Sequence, residues 1–209
     1  GALMPGALPV LSNYVPVIDH PVFFAGLVGW FAGSGLFFAY ALVTPARADA
    51  QALPPAVVVA LRAAAAANVL ALITFAGAWR TTPAAAPLAY YELLFWGGGH
   101  VLQAGNVALM LALWLHLLQR WTGRAVLSPA TVTALMTALI APQVVMPWLA
   151  FAGTTGTAYF TMATHLMRWT LFPVVLVVLG TGVLHVRRSP DRPAWGDFRF
   201  AGLAGSAAL

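Results

Sequence analysis

Apolar residues fall along this chain in long blocks separated by short, proline-bearing polar connections. Five blocks, at about 17–43, 56–79, 88–118, 127–151 and 158–185, satisfy the roughly 20 residues that a helix needs to cross the hydrocarbon core of a bilayer. Between them stand helix breakers: Thr44-Pro45, Pro54-Pro55, Thr81-Thr82-Pro83 with Pro87, and Ser128-Pro129. A further apolar run opens at Phe200 and reaches only Leu209. The pattern predicts an all-α, polytopic transmembrane helix bundle, five spans plus the start of a sixth, forming one domain over residues 1–209. No internal repeat and no long linker divides it. Gly1 to Pro9 lack the basic n-region and cleavage site of a signal peptide and do not open on methionine. Both ends thus suggest a piece of a longer polypeptide, or a chain whose neighbouring helices are supplied separately.

Composition sharpens this picture. Hydrophobic residues make up 61% and charged residues 7%, against about 25% charged in soluble domains, and the mean hydropathy is +0.86. There is no cysteine, which excludes disulfides, thiolate-held haem and iron–sulfur clusters built from this chain. Any metal must be held by His, Glu, Asp, Tyr or Met. The net charge of +5 carries no lysine, and the arginines are scattered through loops rather than clustered on a nucleic-acid-binding face. They report topology instead. Arg47, Arg62, Arg120, Arg124, Arg187, Arg188, Arg192 and Arg199 fall on one side and Arg80 alone on the other, so the positive-inside rule places the first set in the cytoplasm. The first and third spans then begin outside, as in a multi-pass protein of a bacterial inner membrane. Arg168 is the exception, lying within the fifth span.

The chemistry-bearing residues concentrate in Tyr90 to Gln103, where Glu92 and His100 interrupt an apolar helix around Trp96, Gly97, Gly98 and Gly99. Ionisable groups at membrane depth usually mark function. A glycine run costs helix stability and fits a place where something flat or bulky approaches the backbone; a metal or a porphyrin is such a group. The plainer alternative for His100 is one hydrogen bond between packed helices. Glu92 shares a face with His100 about 12 Å away along the axis, suited either to a proton relay through water or to solvation among headgroups. His20, His116 and His185 fall near span ends and read as interfacial. A second polar group, Thr161, Thr164, His165 and Arg168, takes i, i+3, i+4 and i+7 spacing on the fifth span. Its hydroxyls suit a proton path, although such side chains more often bond back to their own helix. An arginine there calls for a carboxylate, a propionate or backbone carbonyls.

With these residues in view, the chain resembles the catalytic subunit I of the haem–copper oxidase superfamily, which includes cytochrome c oxidases and nitric oxide reductases. Leu94-Phe95-Trp96-Gly97-Gly98-Gly99-His100-Val101 is similar to the family's sixth-helix motif, in which an aromatic and glycine-rich turn precedes a histidine ligand of the active-site copper. Thr157 to Thr164 resembles the start of the eighth helix, and Leu184-His185 with Trp195 the entry to the ninth. The resemblance implies helices four to nine of that fold and a respiratory oxidoreductase reducing O2 or NO with electrons from a cytochrome c-type or cupredoxin subunit. It also implies His100 as a metal ligand, Glu92 and the Trp96–Gly99 turn at the site, and Thr161 and Thr164 on a proton path. Haem would be held by ligands outside this sequence, and copper or iron would occupy a second site.

The departures are specific. Val144 to Leu149 carries none of the paired histidines of the seventh helix, and Ala104 stands where the main oxidases carry a tyrosine. Three readings follow: an altered metal site using His100, Glu92 or Met146; a haem protein without a second metal; or a non-catalytic homologue assembling beside an active subunit. A proton or substrate transporter lined by Glu92, His100, His165 and Arg168 is the alternative from another class.

Overall fold

The computed structural model describes residues 5–11, 17–44 and 53–189. The sixth apolar run at Phe200–Leu209, together with Trp195, Arg47, Arg192 and Arg199, lies outside them. The fold is an all-α helical bundle with, among the described residues, five helices long and apolar enough to cross a membrane. They are α1 (Pro21–Val43), α2 (Pro55–Thr81), α3 (Pro87–Thr122), a fourth span from α4 (Pro129–Ile140) through a 3-10 turn (Ala141–Val144) to α5 (Val145–Ala152), and a fifth from α6 (Thr157–Leu166) through a π turn (Met167–Leu171) to α7 (Phe172–Arg188). The hydropathy boundaries hold to within a few residues. A short antiparallel hairpin, β1 (Leu8–Val10) with β2 (Val17–Asp19), precedes α1, with Pro9 opposite Ile18. It was not foreseen, because its strands are only three residues long.

Proline sets the helix starts. Pro21, Pro55, Pro87 and Pro129 each open a helix, where the missing N–H would have had no intrahelical partner. His20 caps α1 by accepting from the Val22 N–H, and Ser128 caps α4 by accepting from the Thr131 N–H. At the other end of α3, Gly123 takes a left-handed φ of 68° and its N–H closes on the Gln119 carbonyl, a helix stop that glycine adopts without steric cost. The two breaks within spans also follow proline. Pro142 lies inside the 3-10 turn, and Pro173 lies just past the π turn, where its lack of an N–H removes the bond to the carbonyl one turn back.

Helices α2 and α3 form the centre, running antiparallel with Phe75 against Gly98 and Ala67 and Asn68 against Gly105. Their contact is built from small residues: Ala60, Ala64, Ala67 and Ala71 meet Ala104, Gly105 and Ala108, and all the alanines named are fully buried. Lipid gives little hydrophobic drive between helices, so close backbone approach and dispersion hold such pairs. Met146, Leu149 and Ala150 of α5 and Tyr159, Ala163 and Leu166 of α6 close one half of the core; Val132, Leu139, Val174 and Val178 close the other. Helix α1 buries none of its residues and leans on this core through Phe31 stacked on Phe75 and Phe24 on Tyr91.

Candidate functional site

The end of the bundle carrying Arg80 is tied together by hydroxyls. Thr81 donates to the Ala150 carbonyl at 2.7 Å, Thr82 pairs with the buried Thr154 at 3.1 Å, and Tyr91 donates to Asp19 at 3.2 Å. Half-buried Glu92 sits at this end of α3, immediately after Tyr91. Two turns deeper lies His100, only 7% exposed and ~20 Å along the helix from Pro87.

His100 Nδ1 lies 2.8 Å from the Trp96 carbonyl oxygen. A carbonyl only accepts, so Nδ1 carries the proton and the lone pair resides on Nε2. The ring is further fixed by Trp96, whose indole is tilted against it at 4.8 Å, with Phe160 of α6 behind that indole at 5.4 Å. Gln103 continues the same face one turn on, and its buried amide oxygen has no hydrogen-bond partner among the described residues. The unsatisfied Gln103 oxygen is a group of the kind that an ordered water satisfies, and it stands one turn from a backbone-anchored imidazole whose lone pair is on Nε2.

Two of the three glycines are occupied otherwise. Gly97 and Gly98 are approached by flat groups, but these are the protein's own rings. A Cβ on Gly97 would lie 2.6 Å from the Tyr159 ring, and one on Gly98 would overlap Phe75. The Tyr159 hydroxyl accepts from the Gly97 N–H at 2.9 Å and donates to the Leu93 carbonyl at 3.3 Å, so α6 is clamped to the α3 backbone. A porphyrin does not fit against these two glycines while Tyr159 and Phe75 stand there. A metal fits at His100 as far as one donor goes. Among the described residues no group of three or more His, Cys, Asp or Glu side chains is arranged to hold an ion, so the remaining ligands would have to come from elsewhere. Met146, fully buried in the core against this region, fills space in the sense usual for a methionine.

The second polar group does share a face, but that face points out of the bundle. Thr161, Thr164, His165 and Arg168 are all exposed, whereas Tyr159, Ala163 and Leu166 turn inward. Arg168 is therefore not enclosed by this chain's own helices, and the group is not brought together with His100. Thr161 donates to the Thr157 carbonyl and Thr164 to that of Phe160, which returns both hydroxyls to their own helix. Of the remaining histidines, His20 caps α1, His185 Nε2 meets Thr122 at 2.9 Å, and half-buried His116 leaves Nδ1 without a hydrogen-bond partner among the described residues.

Sequence reasoning missed three polar groups inside the spans. Gln103 lay within the stretch it singled out but carried no charge. Gln143 is almost fully buried in the 3-10 turn and donates to the Leu139 carbonyl and to Thr170 of the π turn. Asn68 is buried between α2 and α3 and bonds back to the Ala64 carbonyl. Pro142 beside Gln143 and Gly105 opposite Asn68 were the available signals.

No family model matches this chain, and no solved structure matches it. A protein from Aquifex aeolicus (strain VF5) described as uncharacterized is 34% identical over 110 residues, which is 52% of this chain and 28% of that protein. The chain thus spans far less than two thirds of the length of the relative it matches.

Proposed function

We propose that this protein is a multi-pass membrane subunit of a respiratory oxidoreductase of the haem–copper type in a bacterial inner membrane. In this reading His100 supplies one imidazole to a redox metal centre that reduces O2 or NO. The observation that carries it is the His100 Nδ1–H bond to the Trp96 carbonyl deep in α3, which holds Nε2 as the donor nitrogen. A haem with ligands outside this sequence, copper or iron beside His100, and a cytochrome c-type or cupredoxin electron donor complete the assembly. Such a centre, when bound, supplies electron transfer to the gas. The chain's own contribution is to orient the imidazole, through Trp96 and Phe160, and to place the Gln103 amide oxygen one turn away as an acceptor. Glu92 stands between this depth and the Arg80 end, on the route a proton would take.

The aromatic rings over Gly97 and Gly98 favour a second reading, a non-catalytic subunit that keeps the bundle and assembles beside an active one. Metal analysis of the full-length protein purified from native membranes, combined with a reduced-minus-oxidised optical spectrum, separates the two. His100→Gln is the variant of choice, since its amide N–H can still reach the Trp96 carbonyl while the imidazole lone pair is gone. Loss of bound copper or iron per protein in this variant, with the helical content unchanged, supports the metal role. Equal metal content in wild type and variant would overturn it and leave the non-catalytic subunit.

A further inference from the structure

Arg168 lies well inside the bundle's span. The Gly97–Tyr159 and Thr122–His185 bonds fix the register of α3 against the fifth span. Between those two levels Arg168 falls ~14 Å along the axis beyond Tyr159 and ~26 Å short of His185. Thr170, in the same π turn, bonds to Gln143 at the break of the fourth span. The charge is thus held level with the interior of the neighbouring helices, out of reach of the arginines that mark the helix ends. It faces outward, and it has no hydrogen-bond or ion-pair partner among the described residues.

We infer that the face of α6 and the π turn bearing Thr161, His165 and Arg168 is covered by a transmembrane helix of a partner, which presents an aspartate or glutamate to Arg168. The argument is charge complementarity at depth. A guanidinium facing hydrocarbon is strongly disfavoured, and a carboxylate offers it a bidentate, charge-matched acceptor. The two threonine hydroxyls beside it are already spent on their own backbone, so the cation is the group that requires an acceptor. A second copy of the chain does not provide one from its described carboxylates, because Asp19 and Glu92 sit at the Arg80 end, well above this level. The face is independent of His100 and of any metal there.

The absence of native cysteine makes a direct test possible. A nitroxide is attached at Thr161→Cys or His165→Cys in the full-length protein in its native membranes, and its accessibility to molecular oxygen is measured by electron paramagnetic resonance. A covered face gives an immobilised label with low oxygen accessibility. Combining the label with Arg168→Leu or Arg168→Gln should raise accessibility several-fold, and Arg168→Lys should keep it low, since only a cation balances the charge of a carboxylate in an apolar setting. A label that is oxygen-accessible in the otherwise native chain would show a lipid-facing surface, including one where a lipid phosphate meets the arginine, and would overturn the proposal. A label shielded equally with Leu or Gln at 168 would also overturn it, because a helix would then cover the face without a carboxylate. Metal content is unaffected in every arm, which separates this outcome from that of the His100 test.

Discussion

Tyr159 occupies the volume that a side chain on Gly97 would need, and its hydroxyl sits at the Leu93–Gly97 rung of the α3 hydrogen-bond ladder. Phe75 does the same above Gly98 without a polar contact. In a close-packed interior an added methyl must displace a ring, at a cost of ~1–3 kcal/mol. Gly97→Ala and Gly98→Ala are therefore each expected to lower stability by about that amount, read by thermal unfolding of the purified protein in detergent. Tyr159→Phe keeps the ring and loses only the hydroxyl, so its loss should be smaller, ~0.5–1.5 kcal/mol. If Gly97→Ala proves neutral, the ring is not in contact with the α3 backbone. The glycine run announced in the sequence that something flat comes close. What comes close was not legible there, because Phe75 and Tyr159 lie on two other helices, and only tertiary packing brings them over Gly98 and Gly97. His100 was legible as a polar residue at membrane depth, but its bond to the Trp96 carbonyl of its own helix, rather than to a packed neighbour, depends on the rotamer, which spacing alone does not fix.

The helices themselves were legible for a simple reason: crossing a bilayer demands length and apolarity, and both are written locally. Prolines at 55, 87 and 129 marked the starts as expected, whereas α1 opens at Pro21, four residues later than the apolar pattern suggested. The internal breaks were not legible, since Pro142 and Pro173 permit a 3-10 or π turn without dictating which, and the Gln143–Thr170 bond between the two turns is a tertiary contact. That link joins two irregular turns. A double-mutant cycle of Gln143→Leu and Thr170→Val should give a coupling of ~0.6 kcal/mol, the average for hydrogen bonds between membrane helices. Zero coupling would mean that the two turns form independently. The α2–α3 contact predicts a contrast of a different kind. Ala108→Leu forces a large side chain into fully buried space and should cost ~1–3 kcal/mol, whereas Ala25→Leu on the exposed face of α1 should be silent. Both are measurable in the same unfolding assay. Equal effects would remove the small-residue seam as the reason these helices pair.

Across the whole molecule, the described arginines are distributed unequally between the two ends of the bundle. Arg62 near the start of α2 donates to the Thr44 carbonyl at the end of α1, and Arg120, Arg124, Arg187 and Arg188 crowd the ends of α3 and α7 on that same side. Among the described arginines only Arg80 occupies the opposite end, Arg168 lying within the fifth span. Translocating a loop rich in arginine is disfavoured, so the charge bias predicts a cytoplasmic place for the crowded end and an outer one for the loop at 82–86. Cysteine-free background again makes the measurement clean. Ala84→Cys, in the exposed connection between α2 and α3, should react with a membrane-impermeant maleimide in intact cells, and Ala125→Cys, between α3 and α4, only after lysis. The reverse labelling would invert the orientation and put the Glu92 end in the cytoplasm. Because the bias is a sum over loops, the combined change Arg120→Gln and Arg124→Gln with a lysine pair in place of Ala84 and Ala85 should yield both labelling patterns from one population. A single unchanged pattern would mean that packing of the core, rather than loop charge, fixes how the bundle sits.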